Sequence, residues 1–240
     1  MINKLMKSAA VSALLLATPA AQAAVTVVSG PTPGTTTATF TPAPGTNTAV
    51  FNFNGFSGNG SPAITGLTAE LALTLVSVVG NSYNFSYILK NTSVAPVSSR
   101  LSVFGFNANP GFSSVSGISG VFDTLSSGNQ PNALPDIAFC LKDSGQTNNC
   151  NNGNNGLTNG QSTAGLFTLN FSQPQSSIAL SDFSVRYQSL VEPGGATSAS
   201  GVPFGLVPEP ATWAMMILGF GLIGGALRSR KAQVARVTYA

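Results

Sequence analysis

The sequence contains no histidine. That removes the commonest general base, the commonest metal ligand and the usual partner of a serine or cysteine nucleophile. Charge is scarce as well. Asp, Glu, Lys and Arg make up 7% of 240 residues, where about 25% is usual for soluble domains. Solubility must come from Ser, Thr, Asn, Gln and the backbone, a habit of exported β-rich proteins and a poor match to a cytosolic enzyme. There are two cysteines, Cys140 and Cys150. Neither a third cysteine nor a histidine is there to build a zinc site with them or to activate a thiol. An even, closely spaced pair in an oxidising compartment points to a disulfide. Nucleophile elbow, phosphate loop and zinc motifs are all missing. The reading is therefore non-enzymatic, with no catalytic residues, no metal and no cofactor.

The pI of about 9.1 misleads. Lys4 and Lys7 lie in the first segment, and Arg228, Arg230, Lys231 and Arg236 in the last. Between them stand only Lys90, Arg100, Lys142 and Arg186, against all seven acids, a net charge of −3. A basic nucleic-acid footprint is absent, so nucleic acid is not an expected partner. The positive charge sits at two membrane-related ends, where it sets topology.

Residues 1–23 have the form of a secretory signal: Lys4 and Lys7, then the apolar stretch Ala9 to Ala17, then Ala21-Gln22-Ala23 as a small-x-small cleavage site. The mature chain would begin at Ala24, after the Sec translocon and signal peptidase have acted. At the other end, Ala211 to Leu227 is an uncharged apolar run of 17 residues. As a helix it reaches roughly 25 Å, the short end of a membrane span. Trp213 suits the outer interface, and Arg228, Arg230 and Lys231 form a stop-transfer cluster. The positive-inside rule puts that cluster and the tail 232–240 in the cytoplasm and the long middle outside. The signal demands the same orientation.

Between the ends the dominant period is two. Val50, Phe51 and Phe53 open the pattern. Leu71, Leu73 and Leu75 share a face within Glu70–Val79, and Tyr83, Phe85, Tyr87 and Leu89 alternate with polar residues. Ser99–Phe106, Ile137–Leu141, Leu166–Phe171 and Phe183–Leu190 repeat the habit, separated by Gly, Asn, Ser and Pro clusters. Thr and Val in 69–79, followed by Gly80-Asn81, favour a hairpin over a helix. The expected fold is all-β: an antiparallel β-sandwich, jelly-roll or Ig-like, over 49–192, followed by a single C-terminal transmembrane helix. The Pro/Thr/Gly-rich stretch 24–48 reads as a linker or an extended edge segment. The Asn/Gly-rich insertion 144–165 reads as a loop, and 193–206 as a flexible tether.

Val207-Pro208-Glu209-Pro210 is stiff, extended and poor in backbone donors, and it stands just outside the apolar run. Together with Trp213-Ala214-Met215-Met216, Gly219-Phe220-Gly221 and Arg228-Ser229-Arg230-Lys231, it resembles the PEP-CTERM sorting signal over 207–231. The resemblance implies an exosortase partner, an integral-membrane cysteine transpeptidase that cleaves near Pro-Glu-Pro. It also implies anchoring at the inner membrane with a periplasmic domain before processing, then delivery to the cell surface or outside, often alongside exopolysaccharide. Ser229, where Arg is common, and the extension after Lys231 depart from the pattern without removing the stop-transfer charge. More loosely, residues 69–192 resemble the cistern family of PEP-CTERM proteins. The residues that carry this are Val97-Ser98-Ser99-Arg100-Leu101, Phe104-Gly105-Phe106, Phe139-Cys140, Asn149-Cys150, Phe167-Thr168-Leu169-Asn170-Phe171 and Val185-Arg186-Tyr187-Gln188-Ser189. That family implies architecture and no activity.

Other chemistry is thin. Arg100 and Arg186 lie in strand-like runs and are expected to pair with acids, with an anionic glycan as the alternative. Tyr83, Phe85 and Tyr87 have the spacing of a carbohydrate platform, but period-two aromatics more often fill a core. Asp123, Asp136, Asp143 and Asp182 are scattered singly; turn aspartates are the simplest reading, and calcium ligation has no supporting spacing. The expected role is an exported surface or matrix protein. A carbohydrate-binding or adhesive module comes second and a secreted hydrolase third.

Overall fold

The computed structural model describes residues 25–29, 35–43, 47–143, 149–153, 155–204 and 219–220. Two antiparallel sheets pack face to face. Sheet A runs β1 (Val25–Val28), β2 (Thr37–Phe40), β12 (Ile178–Val191), β6 (Ser98–Asn109), β9 (Ile137–Lys142) and β8 (Thr124–Gly128), with β10 (Leu157–Thr158) on β6 and β13 (Ala199–Gly201) on β12. Sheet B runs β3 (Thr48–Phe53), β4 (Ala69–Val79), β5 (Ser82–Asn91), β11 (Ser162–Asn170) and β7 (Ser114–Ser116).

Alternation decides the inner faces. Leu71, Leu73 and Leu75 of β4 and Tyr83, Phe85, Tyr87 and Leu89 of β5 are all buried, while their neighbours face outward. Gly80 has φ 61°, a left-handed angle that costs glycine little, and it turns β4 into β5. Between the sheets the aromatic rings interlock. Phe51 stacks on Phe183 at 4.0 Å and Phe106 on Phe139 at 4.4 Å, and Phe167 reaches across to Phe139 at 4.7 Å. Edge and stacked contacts of this kind add about 0.5–1.5 kcal/mol each beyond area burial. The aromatics with platform spacing, Tyr83, Phe85 and Tyr87, are therefore core residues, each about 1% exposed.

All seven runs with period two are strands. Three segments read as irregular are not. The Pro/Thr/Gly-rich 24–48 carries β1 and β2. β1 is the edge strand of sheet A, and β2 lies inside, with Phe40 fully buried between Val25 and Ile178. The stretch 144–165 carries β10 and the start of β11. The supposed tether carries β13, whose Ala199 and Ser200 are buried. Each is too short to show a period, and each is held by backbone pairing to a longer neighbour, which side-chain pattern does not announce. The run 211–227 read as a transmembrane helix lies outside the described residues except for Gly219 and Phe220, which are helical. The signal residues Ala21, Ala23 and Ala24 also lie outside them, as do Val207, Pro208, Glu209, Pro210, Trp213, Arg228, Arg230 and Lys231.

Candidate functional site

The chemistry-bearing side chains gather on the outer face of sheet A. Register sets one row across it: Ser200 beside Arg186, then Val103, Lys142 and Thr124. A second row holds Ser184, Gly105, Cys140 and Ser126. Arg100 and Gln188 face each other further along. Three of the four mid-chain cations thus share this face. The fourth, Lys90, lies on sheet B directly opposite Glu70.

Cys140 and Cys150 are disulfide-bonded, with Cα atoms 6.1 Å apart. With Val103 and Ile137 they form a small second core on this outer face, separate from the inter-sheet core. The Asn/Gly-rich segment closes over it. A Cβ at Gly153 would lie 2.6 Å from the Ser102 carbonyl oxygen, and one at Gly156 would strike the Leu101 carbonyl. Glycine is what lets this loop lie on the backbone of β6. Lys142 is fully buried beneath it and donates to the Asn149 carbonyl at 2.8 Å. Burial pulls its pKa below the usual lysine value, because a low-dielectric site disfavours the ammonium. Gln188 ties the loop down further, donating to Asn152 Oδ1 at 2.8 Å and accepting from Arg100 at 3.3 Å.

Arg186 does not meet an acid. Its guanidinium donates to Ser198 Oγ at 2.7 Å and Ser200 Oγ at 3.3 Å, correcting the expectation of a carboxylate partner. Burial lowers its pKa to about 10, which leaves it charged at neutral pH. It acts as a staple between β12 and β13. Tyr187 next to it is fully buried, and its hydroxyl has no partner among the described residues. Burial raises its pKa well above the ordinary phenol value.

The sequence gave no warning of Asn91. It is fully buried at the end of β5, donating to the Leu157 carbonyl at 2.9 Å and the Ser99 carbonyl at 3.2 Å and accepting from Ser93 N–H at 3.1 Å. It joins sheet B to β6 and β10 of sheet A. Beside this join is an open cleft of about 430 Å³ lined by Ser98, Ser99, Arg100, Thr158, Asn159 and Ser189. Five hydroxyl or amide side chains and one guanidinium suit a polar, hydroxyl- or carboxylate-bearing ligand. No carboxylate lines the cleft.

The acids do not converge. Asp182, at a bulge with φ 53°, accepts from Asn107 Nδ2 and Ser181 Oγ, both at 3.0 Å. Asp136 meets Asn107 through its backbone carbonyl, and Asp123 accepts from Thr124. Among the described residues no three His, Cys, Asp or Glu side chains stand close enough to hold a metal ion.

The described chain leaves the sandwich at Phe204, just before the sorting segment. There the comparison with known families is informative: residues 206–231 match the PEP-CTERM protein-sorting motif. No curated protein and no solved structure matches the chain. The motif implies an exported protein that an exosortase sorts to the cell surface.

Proposed function

We propose that the chain crosses the inner membrane of a Gram-negative cell and is held there by its tail. An exosortase then cuts it near Pro208-Glu209-Pro210 and leaves the sandwich at the cell surface or outside as a non-catalytic structural or adhesive unit in a polysaccharide matrix. The motif match over 206–231 carries the sorting half. Support for the matrix half comes from the open surfaces, which are rich in hydroxyls and amides and poor in charge. On sheet B, Thr168 donates to Asn84 at 2.7 Å, Ser82 to Asn170 at 2.7 Å, and Asn170 to Ser116 at 3.1 Å. Such a face offers a neutral polyhydroxylated polymer many weak hydrogen bonds. The likeness of residues 69–192 to the cistern family adds architecture and no activity.

A carbohydrate-binding module is the second reading, favoured by the Arg100 cleft. It would work by hydrogen bonding, since Tyr83, Phe85 and Tyr87 are not available for stacking on a sugar. A hydrolase would need converging carboxylates.

The test follows the C-terminus. The intact mass of the mature protein is compared between cells with and without the exosortase. Loss of Trp213 and everything after it only where the enzyme is present supports sorting; retention in both refutes it. Co-sedimentation of the mature protein with matrix polysaccharide, with and without Arg100→Ala, separates a cleft-based binder from a scaffold.

A further inference from the structure

The segment 199–204 is the last folded piece of the domain, and it is bound to both sheets. β13 pairs with Val185–Tyr187 of β12 in sheet A. On its other side, Phe56 N–H and Ser200 C=O bond at 2.8 Å, and Ser200 N–H and Phe56 C=O at 3.0 Å; Asn54 N–H reaches Val202 C=O at 3.3 Å. Phe204 N–H donates to Asn52 C=O on β3 at 2.9 Å. Arg186 staples Ser198 and Ser200, and Asn132 Nδ2 adds a bond to Ser200 Oγ at 3.0 Å. Ala199, Ser200, Gly201, Val202 and Pro203 are all buried. A Cβ at Gly201 would strike the Asn54 carbonyl oxygen, so glycine is needed for this approach. The segment is a clasp that closes one lateral edge of the sandwich.

Its position shortens the leash to the sorting motif. Pro208 follows Phe204 by four residues and Ala211 by seven. At about 3.3–3.6 Å per residue, the motif begins within about 14 Å of the sandwich and the apolar run within about 25 Å. A domain of this size has a radius of gyration near 16 Å and thus a diameter of about 40 Å. The leash is shorter than the domain is wide, so the domain cannot turn its far side toward the attachment point. The other terminus agrees. Val25 opens β1, which lies against β3 on the same lateral edge.

We propose that this edge, made of β1, β3 and the clasp, is the surface the folded sandwich presents to the membrane-embedded sorting enzyme. The proposal deepens the sorting reading and rests on it. The partner it fits is a transpeptidase that takes an extended proline-rich segment while a folded domain stands at its mouth. The line of exit runs on along β3, where Val50 is exposed and one backbone edge carries no strand beyond Asn52. The product would be displayed flush with its attachment point instead of on a stalk.

Site-specific photo-cross-linking in cells that contain the exosortase tests this on the full chain. A probe is placed at Val50 or Asn52 on the proposed edge, or at Ser116 on β7, the opposite edge of sheet B. Cross-links to the enzyme from 50 and 52 but not from 116 are expected. A Gly/Ser insertion after Gly205 of roughly 12 residues adds about 19 Å of reach and should abolish that preference while leaving the fold intact. Equal cross-linking from both edges of the uninserted chain would overturn the proposal, as would a preference that survives the insertion. Glu209→Ala separates the two ideas: if the variant is still processed, the sorting reading itself fails, whatever the cross-links show.

Discussion

β4 on sheet B alternates buried and half-exposed residues from Ala69 to Thr74, whereas β6 on sheet A is buried without a break from Leu101 to Phe106. The difference lies in what covers each outer face. Sheet B is bare there, and its Ser, Thr and Asn side chains bond to one another across the strands. Sheet A is roofed by the Asn/Gly segment, the disulfide and the clasp. The roof has almost no apolar residues of its own. Backbone proximity at Gly153 and Gly156, one covalent cross-link and a few charge-assisted hydrogen bonds hold it. A face can thus be buried by a segment whose composition reads as loop.

The strongest way to break this contrast is to remove the cross-link. Replacing both Cys140 and Cys150 by Ala should cost about 2.8 kcal/mol if the 11-residue loop follows chain-entropy scaling. Denaturant unfolding measures that cost. Hydrogen exchange should quicken at 101–106 and stay unchanged across the β4–β5 hairpin; a uniform loss of protection would mean the roof is not a separate unit.

A smaller effect is expected from the unpaired phenol. Tyr187→Phe removes a buried hydroxyl that has no partner, so stability at pH 7 should be unchanged or up to about 1 kcal/mol higher. The pH dependence sharpens this. Burial pushes the Tyr87 pKa up to about 12 and that of Tyr187 well above 10, so the folded state holds these protons longer than the unfolded chain. Their contribution is fully present below pH 10 and is lost as pH rises through the folded values. Thermal midpoints should fall above pH 10, and less steeply in Tyr187→Phe. A variant as alkali-sensitive as the parent would show that Tyr187 does not carry the effect.

The smallest effect belongs to the bare face. Thr168→Val breaks the bond to Asn84 on sheet B, yet should shift stability by no more than about 0.5 kcal/mol. A loss of several times that size would mean the polar ladder is structural, and the contrast between the faces would narrow.

The long strands were readable because each buries one face, so Leu71, Leu73 and Leu75, or Tyr83, Phe85 and Tyr87, recur at every second residue. β1, β2, β7, β10 and β13 were not, since two to four residues carry no usable period and their stability comes from partners far away in sequence. Of the site, the cysteine pairing was legible from number and spacing. The partners of Arg186 were not: Ser198 and Ser200 come within reach only because β13 folds back on β12. Asn91 gave no signal either, because an asparagine ending a strand looks like a turn residue until three separate backbone groups are brought around it.

The sequence by itself determined the all-β class, the alternating inner faces and the sorting signal at 207–231. These depend on local pattern, on charge placement and on a short motif read in extended form. Tertiary structure alone decided that the Asn/Gly segment is a roof, that three cations share one face, and that 193–206 is no tether. The physical reason is the same in each case. Hydrogen bonding between distant backbone segments is satisfied by geometry and is indifferent to side-chain type, so composition does not record it. The tail and the sandwich therefore stand closer together than composition implied, with four residues from Phe204 to Pro208.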